Sequence, residues 1–132
     1  MLHRDTQLLE IRPVLEKSRA HERMSPQEFF QNKTLRPIIK LQNDIILALF
    51  RNYIYIHKGI FHKLSPKRRV EYIESSIHKD IKFRNTLKGL VIGQFTMDEL
   101  QIYNTDETAI NKRIMSMIKE RLKSQIQLLS SH

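Results

Sequence analysis

A chain of 132 residues is the size of one domain, and with 40% hydrophobic and 28% charged residues it carries enough apolar surface to form a globule, which excludes a disordered tail. Having no cysteine, it excludes disulfides, a thiolate nucleophile and thiolate-ligated zinc or iron–sulfur sites. A formal charge of +9, spread along the chain, suits phosphate polymers, anionic surfaces or an acidic protein without choosing among them.

Only 3 glycines and 4 prolines interrupt the sequence, so it favours a few long helices over many short strands. Residues 1–24 read as an N-terminal arm and linker. Leu8, Leu9, Ile11, Val14 and Leu15 form an apolar patch interrupted at Pro13, and the charged run Glu16 to Arg23 reads as a mobile linker. The patch predicts docking through those five side chains, onto the domain or onto a second copy of the chain. The polar start has no apolar signal region, and no apolar run approaches the roughly 20 residues of a membrane span, so a cytoplasmic protein is expected.

Residues 25–132 read as a single helical domain. Ser25-Pro26-Gln27-Glu28 combines an N-cap, a proline at the first helical position and a capping-box glutamate. Thr34 reads as the cap of a central helix over about 35–58, whose core face carries Leu35, Ile38, Ile39, Ile45, Ile46, Leu49, Tyr53 and Ile56, with Leu41, Leu47, Phe50 and Ile54 on its flanks. Gly59 stops it. Ser65-Pro66 opens a further helix with Val70, Ile73, Ile77 and Ile81 on one face, and the rotation of the apolar stripe beyond them predicts a break between Asp80 and Asn85. Gly89 and Gly93 predict a close helix crossing. Thr96-Met97-Asp98-Glu99 and Asn104-Thr105-Asp106-Glu107 are capping-box patterns for a short helix and a long one that runs to about Leu129 and buries Ile110, Ile114, Met117, Ile118, Leu122 and Leu129. The fold class is all-α: a compact bundle of four or five helices with a helical N-terminal arm.

Three constellations carry chemistry of interest. Glu71, Glu74 and His78 fall at i, i+3 and i+7, a spacing that brings three metal-ligand types to one helix face. The plainer reading is an i,i+4 pair on a wet margin, because no second helix repeats a carboxylate and histidine. Gln42, His57, Arg84 and Arg121 are polar groups in or beside apolar stripes, and together they would line an anion pocket between helices. The competing reading is an internal ion pair, with Arg121 held by Glu74 or Asp80, and Asp80 also within reach of Arg84. Lys67, Arg68, Arg69, Lys112, Arg113, Lys119 and Lys123 are candidates for contact with phosphates. No recognition helix, zinc knuckle or stacking motif accompanies them, so nucleic-acid binding would be non-specific. There is no Gly-x-Ser-x-Gly, and glycine is too scarce for a P-loop or dinucleotide fingerprint.

The run Phe30-Gln31-Asn32-Lys33-Thr34-Leu35-Arg36-Pro37-Ile38-Ile39-Lys40-Leu41-Gln42-Asn43, with Gly59-Ile60-Phe61-His62-Lys63-Leu64 and Arg113-Ile114-Met115, resembles a family of small uncharacterised helical proteins from Bacteroidetes. The resemblance implies a helical fold over nearly the whole chain. Some members carry the label glyoxalase, but glyoxalases of the vicinal-oxygen-chelate class hold their metal on strands of paired βαβββ modules, which a chain that reads as helix throughout cannot build. The family supplies no functional residues. The expected function is a non-enzymatic, basic interaction module that self-associates or docks an acidic protein, with no cofactor. The alternatives are a nucleic-acid-associated accessory protein and a helical enzyme or sensor holding a metal or an anion.

Overall fold

Side-chain caps start four of the helices in the computed structural model, which describes residues 2–15 and 24–130. Those residues form helices α1 (His3–Ile11), α2 (Pro26–Phe30), α3 (Arg36–Leu41), α4 (Asn43–Ile56), α5 (Pro66–Lys79), α6 (Ile81–Ile92), α7 (Met97–Thr105), α8 (Glu107–Ser124) and α9 (Ile126–Leu129). Among the described residues there is no strand, so the all-α expectation holds. The Ser25, Ser65 and Asp80 side chains accept the backbone N–H three residues on, and Thr96 and Glu99 form a complete capping box. Asp106 starts α8 without a side-chain cap, so the second predicted capping box does not form.

Thr34 is no cap. The chain runs helically from Pro26 to Leu41, passing through a π-helical turn at Gln31–Leu35 where the Arg36 N–H reaches back five residues to the Gln31 carbonyl. Pro37 accounts for that turn, because inside a helix its ring clashes with the carbonyl four residues earlier and it donates no hydrogen bond, and a wider turn relieves both. At Gln42 the backbone leaves helical geometry (φ −87°, ψ 5°), so the single helix expected over 35–58 is two. The break resets the phase of the apolar stripe. In α4 it is Ile46, Leu47, Phe50 and Ile54 that are buried, while Ile45 and Ile56, expected in the core, are exposed.

Gly59 ends this stretch as predicted, in the left-handed region at φ +66° with Lys58 beside it at φ +64°. The helix break falls at Asp80, whose carboxylate accepts the Phe83 N–H at 3.0 Å. Of the predicted α5 face, Ile73 and Ile77 are fully buried, while Val70 and Ile81 are exposed. Gly89 faces open space, with nothing within 4 Å of where a Cβ would stand, so the two glycines mark no close crossing. The long last helix stops at Ser124, where Gln125 (φ −119°) separates it from α9.

The core is centred on Phe50, whose ring meets Tyr53, Phe61, Tyr72 and Phe83 with centroids 5.8 to 6.5 Å apart. Helix α8 packs against α5, α6 and α7 and buries Ile110, Ile114, Met115, Ile118 and Leu122.

The arm is helical, but it docks by charge. Leu8 and Leu15 are half-buried, whereas Leu9, Ile11 and Val14 remain exposed. Asp5, only 6% exposed, accepts the Met97 N–H at 3.3 Å with both carboxylate oxygens, a placement that satisfies a free donor at the start of α7. Arg4 donates to the Phe95 and Gly93 carbonyls at 2.8 and 2.9 Å, beyond the end of α6. Arg12 forms a two-pronged ion pair with Glu99 (2.7 and 2.9 Å) and donates to the Gln94 carbonyl at 3.0 Å. Helix ends leave backbone groups unpaired, and the arm's charges answer that demand, which its leucines could not. The linker expected over residues 16–23 lies outside the described residues.

Candidate functional site

Helix α8 points its apolar residues inwards and leaves two flanks, each forming the wall of an open groove. The first, of about 900 Å³, lies between α8 and the π turn and α3, and is lined by Arg36, Lys40, Arg113, Arg121, Gln31, Ser116, Ser124 and Glu120 over Ile39 and Met117, with Val14 and Leu15 from the arm. The second, of about 520 Å³, lies between α8 and helices α5 and α6, and is lined by Arg84, Lys88, Lys112, Lys119, His78, Asn111, Met115 and Glu74. Ser116 and Glu120 line both grooves, so the two adjoin across α8.

The charge is one-sided. Among the described residues, four arginines and four lysines line the two grooves, against the carboxylates Glu74 and Glu120. Glu74 is already neutralised by Lys119 and Lys123 at 2.8 and 2.9 Å, and those two hydrogen bonds hold its carboxyl below the usual glutamate range, while Glu74 in turn raises Lys123. Among the described residues no carboxylate pairs with Lys40, Lys88, Lys112 or Arg113, which leaves their charge available.

The anion-pocket candidates fall in different places. Arg121 lines the first groove and Arg84 the second, whereas His57 lies elsewhere, its ring 4.1 Å from that of Tyr53 in a hollow with Tyr72, Lys79 and Asp80. Gln42 donates to the Leu90 carbonyl at 2.9 Å. Arg121 meets neither Glu74 nor Asp80. Its Nε donates to Asn43 Oδ1 at 2.8 Å, and Asn43 also exchanges hydrogen bonds with Gln125. Position 121 faces the start of α4, while Glu74 lies across the other flank with Lys119 and Lys123. Arg84 donates to the His78 carbonyl at 2.9 Å, not to Asp80, whose carboxylate accepts the Phe83 N–H.

Of the phosphate-contact candidates, Lys112, Arg113 and Lys119 line the grooves, and Lys123 adjoins them through Glu74. Lys67 and Arg68 are exposed outside both, with Arg68 3.7 Å from Glu71. Arg69 is structural: its guanidinium donates to the His62 and Leu64 carbonyls and to Ser130 Oγ, and lies over the Phe61 ring. Glu71, Glu74 and His78 do not assemble, and among the described residues no three histidines or carboxylates are placed to hold a metal ion.

Sequence reading missed Arg36, Lys40 and Lys88 as lining residues. The signal available was Arg36 and Lys40 at i,i+4 beside Pro37, but their partnership with α8 depends on how the helices pack. It also missed the Arg12–Glu99 clasp, in which Glu99 receives Arg12, the Thr34 hydroxyl (2.9 Å) and the Thr96 N–H (2.9 Å). Burial works to raise the Glu99 pKa, but these donors outweigh it and hold the carboxyl below its usual range. In comparisons with family models, curated proteins and solved structures, the chain matches none.

Proposed function

We propose that this protein is a non-enzymatic interaction module that binds an acidic macromolecule across the face centred on α8. The observation that carries the reading is the pair of adjoining grooves, in which, among the described residues, eight cations line the walls against two carboxylates, with Lys119 paired to Glu74 and the other seven facing Glu120 alone. Open grooves of this kind offer a polyanion several charge contacts at once, and low-dielectric walls focus the positive field between them. The cysteine-free composition suits a reducing compartment, and the reading assigns the module to the cytoplasm.

The test is binding of fluorescein-labelled polyanions, polyglutamate and random-sequence RNA, to the full chain across a salt series. Binding that weakens with salt and is lost in the Lys112→Glu/Arg113→Glu variant supports the reading. Retention of binding in that variant assigns the interaction to another surface, and no binding at low salt removes the reading altogether. A second reading, non-specific binding of single-stranded nucleic acid, is favoured by Tyr55, which is 80% exposed and lines a separate hollow with Arg51, Asn52 and Lys58. An exposed ring flanked by cations is the platform on which a base stacks. Tyr55→Ala distinguishes the two, weakening RNA binding while leaving polyglutamate unaffected.

A further inference from the structure

Resting on the proposed function, we infer that the first groove is the seat of an amphipathic acidic helix from a partner protein. Three features lead to that occupant: the groove's length, its mixed chemistry and the way its far wall is built.

On α8 the lining residues Arg113, Met117, Arg121 and Ser124 fall at i, i+4, i+8 and i+11, a single row along one face of the helix. At 1.5 Å per residue the row spans about 16 Å, the length of three helical turns. A small anion would use one end of such a row, whereas a partner helix of three turns uses all of it. The chemistry across the groove changes from apolar to charged. Half-buried Met117 supplies the accessible floor, over Ile39, which is 3% exposed, and Val14, 92% exposed, stands at the lip contributed by the arm. Arg36 and Lys40 line one wall and Arg113 and Arg121 the other. A helix with leucines at i, i+4 and i+7 and carboxylates on both flanks complements this order, laying its apolar stripe on the floor and its charges against the walls.

The same order disfavours nucleic acid in this groove. A phosphodiester backbone gains nothing from an apolar floor, and among the described residues no aromatic ring lines the groove for a base to stack on. The far wall contains the π turn, which places Arg36 five residues after Gln31 on the side that faces α8. A regular α-helix would carry these two side chains about 140° apart. The insertion therefore brings an amide and a guanidinium to one wall, and π turns are concentrated at functional sites.

The probe is a fluorescein-labelled synthetic peptide of about 14 residues with leucines at helical spacing and glutamates elsewhere, compared with a scrambled peptide of the same composition, polyglutamate and RNA. Fluorescence anisotropy is measured with the full chain and with the variants Val14→Asp, Arg113→Glu and Lys67→Glu, and each variant's melting temperature is recorded. Val14, Arg113 and Lys67 are all exposed, so each variant is expected to keep the melting temperature of the parent chain. The amphipathic peptide is expected to bind at least tenfold more tightly than the scrambled one. Val14→Asp and Arg113→Glu should each weaken it at least tenfold, and Lys67→Glu should leave it unchanged. Equal binding of the scrambled peptide and polyglutamate overturns the inference while sparing the broader reading, because charge alone would then suffice. RNA that binds more tightly than the peptide and is weakened by Val14→Asp puts nucleic acid in the groove, and self-association abolished by the same variants puts a second copy there; either overturns the inference. If none of the polyanions binds, both the inference and the proposed function fall.

Discussion

Replacing Arg12 by methionine should destabilise the whole fold, although Arg12 belongs to an arm. In the ion pair with Glu99 the two side chains are only 8% and 12% exposed, and the guanidinium makes three hydrogen bonds of 2.7 to 3.0 Å to Glu99 and the Gln94 carbonyl. Methionine keeps most of the stem's packing and removes all three bonds. Were the site to stay dry, an uncompensated carboxylate would cost about 3 to 5 kcal/mol. The arm can lift and admit water, however, which limits the cost to what the arm's docking contributes, so a loss of about 2 to 4 kcal/mol is expected. Urea unfolding followed by far-ultraviolet circular dichroism measures it, with Glu99→Gln and the double variant completing a cycle. The double variant should lose less than the two single variants together, by at least about 1 kcal/mol, because it removes the orphaned charge. A change within about 0.5 kcal/mol for Arg12→Met, or additive losses, would show that the clasp is solvated and contributes nothing.

Three further outcomes follow from the same structure. Glu99 is held below its ordinary pKa of 4.5, so its contribution is present above that value and is lost as pH falls through the lower folded value; acid unfolding should be shallower in Glu99→Gln than in the parent chain. Burial, with Asp80 nearby, pushes the Tyr53 hydroxyl up to about 12, so the folded state keeps a proton that the unfolded state loses near 10; stability should fall as pH rises from about 10 to 12, and ultraviolet titration of Asp80→Asn, which keeps an N-cap side chain on α6, should show Tyr53 ionising at lower pH. Gly59→Ala places a Cβ at φ +66° with only an ordinary 3.7 Å contact to the His62 ring, so its cost is that of the backbone alone, about 1 kcal/mol by urea unfolding.

The features legible in the sequence are those settled within a few residues. Ser25, Ser65 and Thr96 each cap the N–H three positions on, and Gly59 supplies its own left-handed turn. The phase of α4 was not legible, because it depends on the break at Gln42, whose side chain bonds to the Leu90 carbonyl 48 positions away. Leu47, Phe50 and Ile54, set on the flanks by periodicity, form the core for that reason. The π turn was readable in principle, since Pro37 stands eleven residues after the proline that opens α2. Lys112, Arg113 and Lys119 were recognised as surface cations, but the groove that Arg113 shares with Arg36 and Lys40 exists only once α3 lies beside α8. The arm misled because its leucines and valine are plain to see, while the groups that Arg4, Asp5 and Arg12 satisfy lie on residues 93–99.

Docking through charge also bears on biosynthesis. Arg12 is made 87 residues ahead of Glu99, a wait on the order of ten seconds at ordinary rates of translation. A hydrophobic anchor left waiting that long beside a growing chain invites aggregation and premature contacts. Arg4, Asp5 and Arg12 remain hydrated during the wait. Their partners at residues 93–99 become recognisable only when α6 has ended and α7 has begun, so the clasp closes on a folded pair of helix ends and on nothing made earlier.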